Sequence, residues 1–419
     1  MKTCFLFFII IALYACNSQT PQKEKPKETQ RVIIEEKHNM GIVQEPFVIQ
    51  FQESEKNHFN ILKLSEIATK IKFIPLETKD ECLIGRRYSI KLTQNEIFVG
   101  NGGKVLRFNK AGKFICQINQ VGRGPGECQC KFFKADEKNH FIYIYGLHQH
   151  KIFKYDFDGN FIRNFDDPFL NTSTGNAESF GIRSKTGDLF ITYGNAYGNS
   201  KYKLALLDKQ SGVLKKTFEN HDIFKVSKSP KMFGISMGKE STYNFEGKDY
   251  YKADFNDTIF SINEQDLEPH AIINIGNNKW TLKDNLELSS GLIKYNEVKD
   301  KTLIWGFFET SDHIFLKYDS KGSSFLGIYD KYTKIFNQNI NISEITNDIL
   351  GGIPFDMRKT SYNFNEYACS ISASDLKEIY NKLNAQESGD QQQNEQQLKQ
   401  VFDSLRKDDN PVIMLALLK

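Results

Sequence analysis

The chain has 419 residues, with 55 basic and 52 acidic side chains and a formal net charge of +3. That balance excludes a broad basic face, so nucleic acid is not an expected partner. Aromatic residues make up 13%, with 34 Phe and 18 Tyr; these types favour half-buried strands, and closed β architectures of this length commonly form one domain.

Residues 1–15 read as an export signal. Lys2 gives a basic start, and the apolar run Phe5 to Leu13 is far shorter than the roughly 20 residues that span a bilayer. The run ends in Leu13-Tyr14-Ala15-Cys16, which resembles a bacterial lipobox. That resemblance implies cleavage before Cys16 and a diacylglycerol on its thiol, so Cys16 is the expected lipid anchor and a membrane the expected partner. Several acyl chains on one residue hold far better than one, by about 0.8 kcal/mol per buried methylene. Residues 16–45 are polar and rich in Lys, Glu, Gln and Pro. Such a segment buries too little surface to offset chain entropy and reads as a flexible tether.

From residue 46 to 419 the chain repeats itself. VLRFNKAGKFICQI (105–118) and IFKYDFDGNFIRNF (152–165) align residue for residue, each with a strand, a turn ending in Gly112 or Gly159, and a second strand. Repetition at this period points to stacked supersecondary units, and propeller blades fall in this range. Five units are visible, built on IFVGN (97–101), IYIYG (142–146), LFITYG (189–194), DYYKADF (249–255) and HIFLKYD (313–319). A sixth comes from the ends. KIKFIPLET (70–78) carries Pro75, which only an edge or bulge tolerates, while YACSISA (367–373) and NPVIMLALL (410–418) supply strands from the far end. Sharing one blade between both termini leaves no long exposed edge. Residues 374–409 between the last two strands show helical spacing at Leu376, Ile379, Tyr380 and Leu383, and again at Leu398, Val401, Phe402 and Leu405. The expected fold is an all-β, six-bladed β-propeller closed by strands from both termini, with a small C-terminal helical insertion.

Chemistry is sparser than architecture. There is no nucleophile elbow, no H-E-x-x-H helix and no dinucleotide fingerprint, and no catalytic residue emerges. Beyond Cys4 and Cys16, five cysteines remain (Cys82, Cys116, Cys128, Cys130, Cys369). An odd number leaves at least one free thiol, and small core residues are the expected role for most. VGRGPGE (121–127) sits between strands and lacks the Lys-Ser/Thr pair of a phosphate loop. It reads as an inter-blade connection in which Glu127 accepts hydrogen bonds; Arg123 and Glu127 are the candidate binding residues. In an up-and-down blade, inter-blade links and the loops between second and third strands share one face. Cys128 and Cys130 can therefore approach His148 and His150, a set that matches tetrahedral zinc chemistry. The i, i+2 spacing is not that of a zinc finger, so they stay weak metal candidates and no cofactor is expected. DFDGN (156–160) fits a hairpin turn better than a calcium loop. Trp280, Trp305, Tyr243, Tyr250 and Tyr251 offer stacking surfaces for a sugar or packing between blades.

VGRGPGE, FIPLET (73–78), FNDTIFSI (255–262) and LGGIPFD (350–356) together resemble the six-bladed β-propeller lipoproteins of Bacteroidota, similar to NHL-repeat propellers. Cys128 departs from the aromatic or aliphatic residue usual there. The resemblance implies the fold and a cell-envelope location, anchored to the outer membrane, and brings no catalytic set. The expected function is binding of a protein, peptide or glycan ligand at the loop face or central channel. Two alternatives remain: a hydrolase or lyase acting on a peptide or glycan at the channel mouth, and a scaffold docked through the helical insertion.

Overall fold

The computed structural model describes residues 45–52, 61–169, 177–223, 241–358, 361–363, 365–384 and 395–419. The signal segment 1–15, Cys16, the tether as far as residue 44 and the Gln-rich link of the helical insertion lie outside the described residues.

Six small sheets form a ring, a six-bladed β-propeller. Blade 1 consists of Tyr88–Leu92, Glu96–Asn101, Lys104–Asn109 and Phe114–Gln117. Blade 2 runs from Cys130–Asp136 out to Phe161–Asp166 and blade 3 from Ala177–Ile182 to Leu214–Glu219. Blade 4 spans Thr242–Phe245 to Leu267–Asn274, and blade 5 spans Leu303–Glu309 to Phe336–Asn341. Blade 6 closes the ring as anticipated: Ser361–Asn363, Glu366–Ile371 and Val412–Leu418 are completed on the outside by Ala68–Pro75. The closing pair is antiparallel from Ala68 opposite Leu418 to Pro75 opposite Val412. Pro75 lies on the outer edge strand, where a missing N–H costs no ladder bond.

The repeated phrase is the third and fourth strands of blades 1 and 2. Its turns are held by an Asn or Asp: Asn109 Oδ1 accepts from the amides of Ala111 and Lys113, and Asp156 Oδ1 from those of Asp158 and Asn160. The DFDGN segment is thus a hairpin turn. Each such turn lies against the outermost strand of the preceding blade. A Cβ on Gly112 would stand 2.0 Å from the Pro75 carbonyl oxygen, one on Gly159 2.8 Å from that of Gln117, and one on Gly212 2.4 Å from the Phe165 ring.

Apolar clusters fill the seams. Phe98, Val105, Phe133, Ile144 and Phe153 join blades 1 and 2, while Ile90, Val99 and Phe108 join blade 1 to Ile74, Ile413 and Leu415 of blade 6. Polar ties cross several of the same seams. Arg183 of blade 3 pairs with Asp249 of blade 4 at 2.9 Å and donates to the Ile262 carbonyl at 2.8 Å. Between blades 4 and 5, Glu309 is 1% exposed and is met by Lys331 at 2.6 Å, His270 at 2.8 Å and the Tyr243 hydroxyl. Burial by itself would raise the Glu309 pKa, but the bonds and charges of His270 and Lys331 hold it below the ordinary glutamate value. All five described cysteines are free, with Cys82, Cys128 and Cys369 buried.

Three features depart from the sequence reading. The innermost strand of each blade went unrecognised. Phe47–Gln50 adds a fifth strand, parallel to Leu267–Asn274, on the outside of blade 4. Finally, a helix at Leu282–Ser289 sits between blades 4 and 5, its Thr281 cap accepting from the Asp284 amide. The C-terminal helices Ala373–Asn384 and Glu395–Ser404 occupy the insertion as expected and bury Leu376, Tyr380 and Leu398 in the core shared by blades 5 and 6. Among the described residues no helix is long and apolar enough to cross a membrane.

Two outcomes follow for stability. Gly112→Ala faces both a φ of 81° and the Pro75 carbonyl and should cost about 3 kcal/mol or more. Gly247→Ala, with a φ of 70° but open space, should cost only about 1–2 kcal/mol; denaturant midpoints of the two variants make the comparison. Because the Glu309 pKa is depressed by folding, its contribution is present above the unfolded glutamate pKa and lost as pH falls below it. Glu309→Leu should cost about 3–5 kcal/mol near neutral pH by stranding Lys331, and should flatten the acid limb of a stability-versus-pH profile.

Candidate functional site

The inner ends of blades 1 to 3 enclose a cavity of about 620 Å³. Its walls follow from strand alternation, since residues two apart face the same way. In Tyr88–Leu92, Ile90 and Leu92 are buried toward blade 6, which leaves Ser89 and Lys91 on the side of blade 2. Arg87 continues that row, and Lys104 enters from the turn at Gly102 and Gly103. Blade 2 contributes Lys131, Phe132 and Lys134 from its innermost strand, and blade 3 contributes Ala177, Glu178 and Phe180, with Ala196 and Tyr197 from a neighbouring loop.

Lys131 is held in place by several groups. Its ammonium donates to the Ala177 carbonyl at 2.7 Å and lies over the rings of Phe132 at 5.3 Å and Tyr145 at 5.7 Å. Burial lowers its pKa, against the pull of Glu178 and Asp167. Beneath it, Asp167 accepts from the hydroxyls of Tyr145 at 2.7 Å and Tyr193 at 2.8 Å, which joins blades 2 and 3. Burial raises the pKa of both phenols, so they are neutral donors.

The opposite wall carries Glu178 and is braced. Glu178 stands beside the buried carboxyl of Asp254, whose pKa burial raises against the charge of nearby Lys252. Lys252 is 6% exposed, and its pKa is pushed down to about 8 by the same burial. Oδ2 of Asp254 has no hydrogen-bond partner among the described residues. The helix Leu282–Ser289 supports this side, with Asn285 Nδ2 donating to the Ala196 carbonyl at 3.1 Å.

The residues singled out from sequence lie elsewhere or do other work. Arg123 is exposed, and neither it nor Glu127 lines the cavity. Glu127 folds back on its own loop, accepting from the Gly124 amide at 3.0 Å, and a Cβ on Gly122 would reach within 1.9 Å of its carboxylate. Gln149 Nε2 donates to the carbonyls of Gly122 at 3.1 Å and Glu127 at 3.3 Å. The Cys128-Gln129-Cys130 and His148-Gln149-His150 segments do meet at one rim. There, however, His148 Nε2 meets Gln129 Oε1 at 3.0 Å and the His150 ring meets Tyr145 edge-on. The Cys128 thiol is buried 3.3 Å from the Tyr155 hydroxyl, and burial pushes its pKa up to about 11 and that of Cys130 upward as well. Burial thus disfavours the thiolate form of both groups. Among the described residues no three His, Cys, Asp or Glu converge to hold a metal ion.

The aromatic candidates pack. Trp280, Tyr250 and Tyr251 are buried, Tyr243 stacks on Tyr250 at 4.7 Å, and Trp305 Nε1 donates to Asp319 at 3.0 Å. The cavity cations Arg87, Lys91, Lys104, Lys131 and Lys134 went unnoticed in the sequence. Only Lys91 carries a signal, as the polar member of the alternating strand Tyr88–Leu92.

Comparison with known proteins bears on the fold alone. No curated protein matches the chain. A Bacteroides fragilis NCTC 9343 protein named "Putative exported protein" is similar at 18% identity and a TM-score of 0.66, covering 90% of this chain and all 100% of that one. A member of the duf4221 family from Bacteroides vulgatus is similar at 10% identity and a TM-score of 0.48, covering 84% and 97%. A structural-genomics protein of unknown function from Bacteroides thetaiotaomicron stands at 10% identity and a TM-score of 0.41, covering 71% and 72%. Residues 46–416 match the family described as "Domain of unknown function (DUF4934)", and the chain belongs to that family.

Proposed function

We propose that this chain is a binding protein of the bacterial cell envelope, anchored to the outer membrane through Cys16, that takes its ligand into the cavity at the inner ends of blades 1 to 3. The observation that carries the reading is the cavity itself. At about 620 Å³ it has the size of a small-molecule site, and it combines aromatic walls with a few convergent polar groups. Rigid strands place those groups, so little order has to be gained on binding. The envelope location draws on the lipobox-like Leu13 to Cys16 and on the name of the Bacteroides fragilis relative. The scaffold reading is less well supported, because the apolar faces of both C-terminal helices are used up against the core.

One observation favours a second reading. Glu178 lines the cavity with the buried Asp254 behind it, and carboxylates at such a mouth are the groups that glycan hydrolysis uses. Chromatography of a bound ligand after incubation separates the two: an intact ligand supports binding, and a cleaved one, preserved by Glu178→Gln, supports hydrolysis.

Two outcomes test the leading proposal. Ser89→Trp fills the cavity from an exposed position; in a glycan and peptide screen of the full-length protein it should weaken any ligand found by about tenfold or more, or 1.4 kcal/mol, with melting unchanged. Retained affinity would place the ligand elsewhere. Cys16→Ser should abolish incorporation of labelled lipid and release the protein from membranes, and labelling that persists at another residue rejects the anchor.

A further inference from the structure

We infer that the ligand of this cavity is an organic polyanion, with two or more carboxylate or phosphate groups on a body that has an apolar face. The inference rests on the binding reading above and names its ligand class. The chain as a whole is nearly balanced, at 55 basic to 52 acidic residues. The cavity lining is not: Arg87, Lys91, Lys104, Lys131 and Lys134 face a single carboxylate, Glu178. Charge of one sign inside a concave, low-dielectric wall focuses the field on whatever enters.

The cations come from two blades. Arg87, Lys91 and Lys104 belong to blade 1, and Lys131 and Lys134 to blade 2, so two separate walls each present a site for an anionic group. Arg87 and Lys104 make no ion pair with any described residue, and Arg87 offers the planar fork that matches carboxylate or phosphate. Lys131 is already partly desolvated and directed by the Ala177 carbonyl and two rings. An anion arriving there recovers Coulomb energy at little further cost in ordering. Tyr88, Phe132 and Tyr197 supply the apolar surface between the charged walls. A neutral ligand would leave Arg87 and Lys104 without counter-charge, and a cationic one would be repelled.

Calorimetry on the full-length protein in neutral detergent tests this, with trigalacturonate as the carboxylate probe, inositol hexakisphosphate as the phosphate probe and maltotriose as the neutral control. At least one anionic probe should bind and maltotriose should bind at least about tenfold more weakly. Raising salt from about 50 to 500 mM should reduce the anion's affinity by about tenfold or more, since the Debye length shrinks severalfold. Arg87→Ala and Lys104→Glu, both at exposed positions, should each weaken binding about threefold to thirtyfold. Lys399→Glu, the same charge change on the helical insertion, should not. The arm that binds tells carboxylate from phosphate. If neither anion binds while a neutral ligand does and Ser89→Trp blocks it, the polyanion inference fails and the cavity reading stands. If no ligand of any charge binds, both fail. Binding unmoved by salt or by Lys104→Glu also overturns the inference.

Discussion

A ring of sheets has no covalent closure, and this one is held shut by the pairing of Ala68–Pro75 with Val412–Leu418. Without it, blades 1 and 6 would each turn an open face to water, and Val412–Leu418 would become a long apolar edge. The pairing buries Ile71, Phe73, Met414 and Ala416 to 6% exposure or less, and a fully buried side chain of the larger kind contributes about 1.5–3 kcal/mol. The edge that remains is blunted by Pro75, which also accepts the approach of the Gly112 turn from blade 1. The same turn-on-edge contact recurs at Gly159 and Gly212, so blades 1 to 3 are each keyed to the one before.

The cavity is a consequence of that frame. Innermost strands converge toward the axis, and blades 1 and 2 bring long cationic side chains to the cavity there. Around them the structure is stiff. Asp167 ties Tyr145 to Tyr193 across one seam, Arg183 and Asp249 lock the next, and Asn285 of the helix between blades 4 and 5 braces the loop at Ala196. Buried polar ties of this kind hold a unique arrangement because each broken bond strands a desolvated partner. Such stiffness keeps the charges of the cavity wall in fixed places.

Some of this was legible residue by residue. The phrase at 105–118 and 152–165 marked the outer hairpins, because their Asn or Asp and Gly solve a local turn problem that is visible in the sequence. Pro75 marked an edge strand for an equally local reason, its missing N–H. The helices of the insertion showed their apolar period. The innermost strands did not show themselves. Ser89 and Lys91 serve a channel that exists only once six blades stand around it, so their polar alternation looks like an interrupted strand or a loop. Phe47–Gln50 was hidden in the same way, since its parallel partner lies more than 200 residues onward. For the rim pairs Cys128/Cys130 and His148/His150, the directions of the side chains depend on Tyr155, Gln129 and Tyr145, which no spacing rule reports.

The sequence by itself determined the repeated unit, its turns, the shared closing blade and the place of the helical insertion, because each depends on hydrogen bonding and apolar period within a few residues. Only the tertiary structure decided where charge gathers. Arg87, Lys104 and Lys131 are separated along the chain and sit in an almost neutral composition. They become one field when closure of the ring brings blades 1 and 2 side by side, because electrostatic energy depends on distance through space and not on position along the chain.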